Sequence, residues 1–167
     1  MDNAGLNTLE ETEDTMEGRF LTFDLGEEVF GIKIRHVTEI IGLQTINKLP
    51  EMPDYIQGII NLRGKIVPVI DMGMKFKRAK KDYSDRTCIV VVETQQLTAG
   101  LIVDNVAEVM TINETDIAPP PELDLGVGCR YLSGVGKVDG DVVILLDCEQ
   151  LFNEEETQTI YASRTKM

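Results

Sequence analysis

The second half of this chain repeats its first half, and that repetition limits the folds available to it more than any other feature. Under a shift of 69 residues, Leu21 falls on Val90, Phe23 on Val92, Gly31 on Gly100, Ile32 on Leu101, Ile34 on Val103 and Val37 on Val106. The same shift sets Glu39 on Glu108, Ile40 on Val109, Leu43 on Ile112 and Pro50 on Pro119. Under a shift of 76, Tyr55 falls on Tyr131, Ile56 on Leu132, Gly58 on Gly134, Gly64 on Gly140, Val67 on Val143 and Asp71 on Asp147. The matched Gly, Glu, Pro and Asp weigh most, because each fixes a turn, a cap or a backbone approach. A period this long marks a duplicated supersecondary unit. The growth of the shift places about seven extra residues in the second copy, near Pro119–Pro120–Pro121 and Gly126–Gly128, where lengthening a loop costs little.

Within each copy the pattern is that of short strands. Leu21, Phe23 and Leu25 alternate with polar neighbours, and so do Phe30, Ile32 and Ile34 after a Gly26-Glu27 turn. Gly in the first central position suits a type II′ hairpin. Arg35 to Ile41 reads as one or two helical turns, and Leu43 to Leu49 as extended. Tyr55 to Leu62 and Lys65 to Ile70 form a second hairpin, with Arg63-Gly64 read as a type I turn with a bulge. Asp71 is an N-cap for a short helix over Met72 to Phe76. Trp is absent and aromatics are few, so Val, Ile and Leu must build the core. Five short strands per unit curl into a small barrel to hide their edges. The expected fold class is therefore mainly β: two five-stranded barrels in tandem, about 19–71 and 87–147, joined by a connection over 72–86. A unit this small buries little by itself, so the pair should share an apolar seam. Asp147 to Gln150 has the spacing of a capping box, so a C-terminal helix should begin at Cys148, with Leu151 and Phe152 pinning its first turn. A tail runs to residue 167.

Residues 1–18 hold six acids and no Lys or Arg, and read as a disordered acidic tail. The formal net charge of −13 argues against nucleic acid or an anionic membrane as partner. Five basic residues lie between Lys75 and Lys81, read as a solvated connection. No apolar stretch approaches the length of a membrane span, and the N-terminus lacks the pattern of a signal peptide. Cys88, Cys129 and Cys148 have neither metal-ligand nor disulfide spacing, which fits a reducing cytoplasm. The lone His36 is read as a surface residue, and Asp71 and Asp147 as equivalent caps rather than a catalytic pair. No motif for a nucleophile, phosphate loop or metal appears. The expectation is a non-enzymatic binding module with no cofactor and no metal. One difference between the copies stands out: the hairpin tip Arg63-Gly64 becomes Asp139-Gly140. A planar five-donor guanidinium on a rigid tip suits an interface anchor.

The string Gly58-Ile59-Ile60-Asn61-Leu62-Arg63-Gly64, followed by Val67 to Asp71, closely resembles the hallmark of CheW-type chemotaxis coupling proteins. Phe30-Gly31-Ile32, Val37, Glu39-Ile40, Leu101 to Val109, Pro119, Pro121 and Tyr131 to Gly134 match as well, so the resemblance spans about residues 19 to 153. It implies two SH3-like barrels and a cytoplasmic adaptor held in receptor arrays at the inner face of the membrane. Its partners would be the cytoplasmic tip of methyl-accepting chemoreceptors and the regulatory domain of a CheA-type histidine kinase. The receptor-contact positions carried over are Val37, Glu39, Arg63 and Val109. Gly58, Asn61, Gly64, Gly100 and Gly134 are structural or interface positions, and no kinase-contact residue is assigned. The alternatives are the same fold serving another receptor–kinase pathway, such as surface motility or development, or a barrel that binds a small ligand.

Overall fold

The computed structural model describes residues 17–78, 82–95, 97–119, 131–152 and 157–158. Its strands are β1 (Arg19–Leu25), β2 (Glu28–Lys33), β3 (Val37–Gly42), β4 (Ile56–Leu62), β5 (Lys65–Asp71), β6 (Cys88–Glu93), β7 (Thr98–Val103), β8 (Asn105–Thr111), β9 (Ile117–Ala118), β10 (Leu132–Val138) and β11 (Asp141–Leu146). A short helix α1 spans Met72–Lys75, and 3₁₀ turns cover Ile34–His36, Glu114–Asp116 and Cys148–Gln150.

The duplication survives in the finest detail of the backbone. The β3–β6 ladder slips between Val37 and Glu39, and the β1–β8 ladder slips at the equivalent place, opposite Val106 and Glu108. The β4–β5 ladder slips between Ile56 and Gly58, and the β10–β11 ladder between Leu132 and Gly134. Tyr55 and Tyr131 accept equivalent backbone bonds from Asp71 and Asp147, each at 2.8 Å. Bulges re-aim side chains at fixed positions, so their repetition shows two copies of one design.

The two sheets do not correspond to the two halves. One sheet runs β8-β1-β2-β11-β10-β9 and the other β3-β6-β7-β5-β4. Each half thus lends its first hairpin to the other half's remaining strands, through the parallel pairs β2–β11 and β5–β7. This corrects the expectation that 19–71 and 87–147 would close separately. Chain leaving edge strand β3 crosses to the opposite edge of its sheet, where Asn47 and Ile59 exchange two backbone bonds of 2.9 Å. Chain leaving β8 does the same as β9 pairs with β10. The sheets therefore curl.

The exchange also relocates the core. The largest apolar cluster is the seam, where Leu21, Phe23, Leu25, Val90, Val92 and Leu101 meet Tyr131, Leu151 and Phe152. Two smaller clusters lie elsewhere, one around Ile60, Val67, Val69 and Ile89, the other around Phe20, Ile112, Val143 and Leu145. Strand alternation explains the division: Leu21, Phe23 and Leu25 face the seam while Phe20 faces its own sheet. Lys75 is buried with its Nζ 4.6 Å from the Tyr55 ring, 4.9 Å from Tyr131 and 5.0 Å from Phe152, a cation–π contact spanning both sheets.

The Gly26-Glu27 turn is a two-residue loop with Gly26 at φ 63°, as a type II′ turn requires. The Asp71 cap is present, accepting from the Met74 N–H at 3.1 Å and from the Tyr83 hydroxyl at 2.8 Å. The segment Arg35–Ile41 is mostly strand β3, not helix, because β-branched Val37, Thr38, Ile40 and Ile41 favour a pleat. The tip Arg63-Gly64 is a two-residue type I′ turn with φ 54° and 84°, not a type I turn with a bulge. At the C-terminal end, Asp147 caps a single 3₁₀ turn by accepting from the Glu149 N–H at 2.9 Å, and Leu151 and Phe152 are buried. Beyond Phe152, Thr157 and Gln158 are helical, as expected there; the other residues of the expected helix, residues 1–16 of the acidic tail, Lys80 and Lys81, and the Gly126–Gly128 insertion lie outside the described residues.

A buried thiol and a half-buried phenol set an alkaline limit on stability. Burial, with the neighbouring Asp147 and Glu149 carboxylates, pushes the Cys148 thiol up to about 12. Burial and the bond to Asp71 also raise the Tyr83 hydroxyl. Unfolded Cys and Tyr ionise near ~8.5 and ~10. Between the unfolded and folded values the unfolded chain has already released its proton. Stability is therefore complete below about pH 8.5 and falls as pH rises. Urea midpoints measured across this range should decline from about pH 8.5 in the wild type. Burial raises the Cys88 thiol as well, so in Cys148→Ala the decline should be shallower over the same range, and identical profiles would refute the assignment.

Candidate partner-binding site

The site is built from an edge strand and a hairpin tip. Thr38 is the extra residue of the β3 bulge, and its hydroxyl donates to the Val91 carbonyl at 3.1 Å. On its far side Glu39 is held against β6, opposite Val91. The β4–β5 tip folds back toward β3. Both tip residues adopt positive φ, and the Asn61 side chain accepts from the Gly64 N–H at 2.8 Å, bracing the turn. Arg63 then meets Glu39 through two contacts, Nη1–Oε2 at 2.6 Å and Nη2–Oε1 at 3.0 Å.

The Arg63 side chain is 77% exposed and that of Glu39 24%. An ion pair so open to water contributes about 0.2–1 kcal/mol. Its consequence is geometric: the two-pronged contact holds a guanidinium still in the left-handed tip, with its outer edge free for a partner.

Of the positions expected at the site, Glu39 and Arg63 are brought into contact. Val37 is half-buried, packed against the seam at the start of the same strand. Val109 lies on β8 of the other sheet, opposite Leu21, and is 44% exposed. Sequence reading missed Ile40, 45% exposed beside Glu39, and the exposed Leu43 just beyond it. The clue was the edge position of β3, where alternation turns every second residue outward.

The glycines sort by what surrounds them. A Cβ on Gly58 would lie 2.2 Å from the Asn47 carbonyl oxygen, and one on Gly134 2.9 Å from the Ala118 oxygen, at the equivalent crossing. A Cβ on Gly100 would lie 2.7 Å from Ile89 Cγ2. Gly58 and Gly134 sit where backbone approaches too closely for a side chain, and Gly100 where the Ile89 side chain fills the space. Gly64 has open space and is fixed only by its positive φ. His36, expected on the surface, is instead largely covered, with Nδ1 4.0 Å from Glu149 Oε1. Among the described residues no group of three or more His, Cys, Asp or Glu could hold a metal ion. No described helix is long and apolar enough to cross a membrane.

The CheW-like domain model matches residues 19–156. The chain belongs to the CheW-like family. Its relatives include chemotaxis protein CheW of Klebsiella aerogenes, 37% identical over 154 residues that cover 92% of this chain and 93% of the relative. Chemotaxis protein CheW of Treponema pallidum is 33% identical over 146 residues, covering 85% and 86%. The crystal structure of scaffolding protein TtCheW from Thermoanaerobacter tengcongensis is similar with a TM-score of 0.77 and 39% identity, covering 83% of this chain and 94% of that one. The mainly β, two-sheet architecture is thus that of a CheW-like domain.

Proposed function

We propose that this CheW-like chain is a non-enzymatic chemotaxis adaptor that couples methyl-accepting chemoreceptors to a CheA-type histidine kinase. The observation that carries the reading is the Arg63–Glu39 clamp, a braced and exposed guanidinium on the hallmark hairpin of a chain matched to the family over residues 19–156. The receptor tip is an α-helical bundle whose polar surface a fixed guanidinium and a carboxylate can read. The apolar Ile40 and Leu43 beside the pair supply contact area. The kinase contributes its regulatory domain, and the adaptor works in the cytoplasm against the receptor array.

The mechanism is scaffolding. The adaptor holds the kinase in a fixed geometry to the receptor, so a change in receptor state alters kinase state through differential contacts. Each interface is modest, and the array supplies avidity.

A pull-down with a receptor cytoplasmic fragment and a CheA-type kinase tests this. The full chain should retain both together and raise receptor-dependent kinase phosphorylation. Retention of neither would overturn the reading.

A further inference from the structure

In the first copy, the carboxylate on the edge strand is neutralised from the hairpin tip: Glu39 receives Arg63. In the second copy, the equivalent edge residue is Glu108 and the equivalent tip residue is Asp139. The backbone is the same in both. Asp139 has φ 51° where Arg63 has 54°, and Glu108 follows the same bulge on β8 that Glu39 follows on β3. The scaffold that seats a guanidinium in one half therefore presents two carboxylates in the other.

Glu108 and Asp139 line one groove of about 650 Å³, with Glu27, Glu28 and Asp141 on the same rim. Among the described residues, no Lys or Arg pairs with Glu27, Glu108, Asp139 or Asp141. The groove is not simply a solvated acidic patch. Met110, Val138 and Val142 line it, and Val142 is 55% exposed. Of the rim carboxylates, Glu28 alone is paired among the described residues, to Arg78, which sits outside the groove, donates to the Leu25 carbonyl at 2.9 Å and lies over the Phe30 ring.

We infer that this groove is a second docking surface, for a protein segment that inserts an Arg or Lys between Glu108 and Asp139 and rests an apolar side chain on Val142. The partner supplies the cation that the first copy carries in itself. A charge-assisted contact closed off by apolar neighbours is the pattern of an interface anchor. Strand alternation turns Val109 away from Glu108 and Met110, so this surface is distinct from the face on which Val109 was expected to act. The inference relies on the adaptor reading only in expecting a protein partner.

The test titrates the full chain with acetyl-Leu-Arg-Leu-amide, followed by amide chemical shifts. Acetyl-Leu-Glu-Leu-amide is the control. The Arg peptide should shift the amides of Glu108, Asp139 and Val142, and the Glu peptide should not. Asp139→Arg copies the first tip, whose backbone already accommodates Arg, and should weaken the Arg peptide at least tenfold by filling the site from within. Glu108→Gln should weaken it several-fold. Failure to bind by about 10 mM, binding mapped elsewhere, equal binding of the Glu peptide, or unchanged affinity in Asp139→Arg would overturn the inference. None of these outcomes bears on receptor or kinase retention, so the adaptor reading stands or falls separately.

Discussion

Gly58→Ala should cost this protein about 4 kcal/mol of stability, a large share of the ~5–15 kcal/mol that holds a typical domain. Two effects coincide at this position. The added Cβ would lie 2.2 Å from the Asn47 carbonyl oxygen and 2.8 Å from Ile46 Cγ2, so the crossing chain must move. Overpacking of this kind costs about 1–3 kcal/mol. Gly58 also has φ 147°, a region that L side chains rarely adopt, at a further cost of about 1–3 kcal/mol. Moving Asn47 would break both of its 2.9 Å bonds with Ile59, the link between opposite edges of the sheet. Gly64→Ala is the matched control: its φ is 84°, nothing lies within 4 Å, and only the backbone penalty of about 1 kcal/mol applies. Urea denaturation of both variants decides the matter. Equal losses would show that the Asn47 crossing does not constrain Gly58.

Arg63→Glu should lower receptor-fragment affinity about 100-fold while shifting stability by no more than ~1 kcal/mol. The small stability effect follows from the 77% exposure of Arg63, where water screens both the lost attraction and the new repulsion from Glu39. The large binding effect follows from reversing a charge that the tip holds toward the partner. Arg63→Ala should weaken receptor binding less, with fold and kinase binding intact. The exchanged pair Glu39→Arg with Arg63→Glu separates the two roles the clamp can have. It rebuilds an internal ion pair but places the guanidinium on the strand instead of the tip. Titration calorimetry should find stability restored and receptor binding still lost. Recovery of binding in the exchanged pair would mean that the clamp acts only by holding β3 to the hairpin.

The two clamps show how far residue patterns reach. Arg63 was singled out because the copies differ at one tip, and a difference between repeats is visible without coordinates. Its partner Glu39 was matched to Glu108 in the same alignment of halves. The contact between Glu39 and Arg63 was not legible, because it depends on the curl that brings opposite edges of one sheet together. The groove was hidden for the same reason: Glu108 lies on edge strand β8 and Asp139 on the β10–β11 turn, and β1, β2 and β11 lie between β8 and β10 in the six-stranded sheet. Ile40 has the branched apolar side chain of a core residue. Only its place on an unpaired edge sets it outside.

Alternation, turn residues and caps by themselves determined that this chain is a doubled set of short strands, where its hairpins bend and which faces seek burial. Each of those signals is local, and a residue's neighbours suffice to express it. Tertiary structure alone decided which hairpin joins which sheet. The hairpins β1–β2 and β6–β7 carry the same apolar pattern, so either fits beside either remainder, and no local signal separates the pairings. The exchanged arrangement gathers Leu21, Phe23, Val90, Val92, Tyr131 and Phe152 into one seam larger than either sheet's own cluster. Burying that shared surface is a property of the whole chain, which no stretch of residues expresses alone.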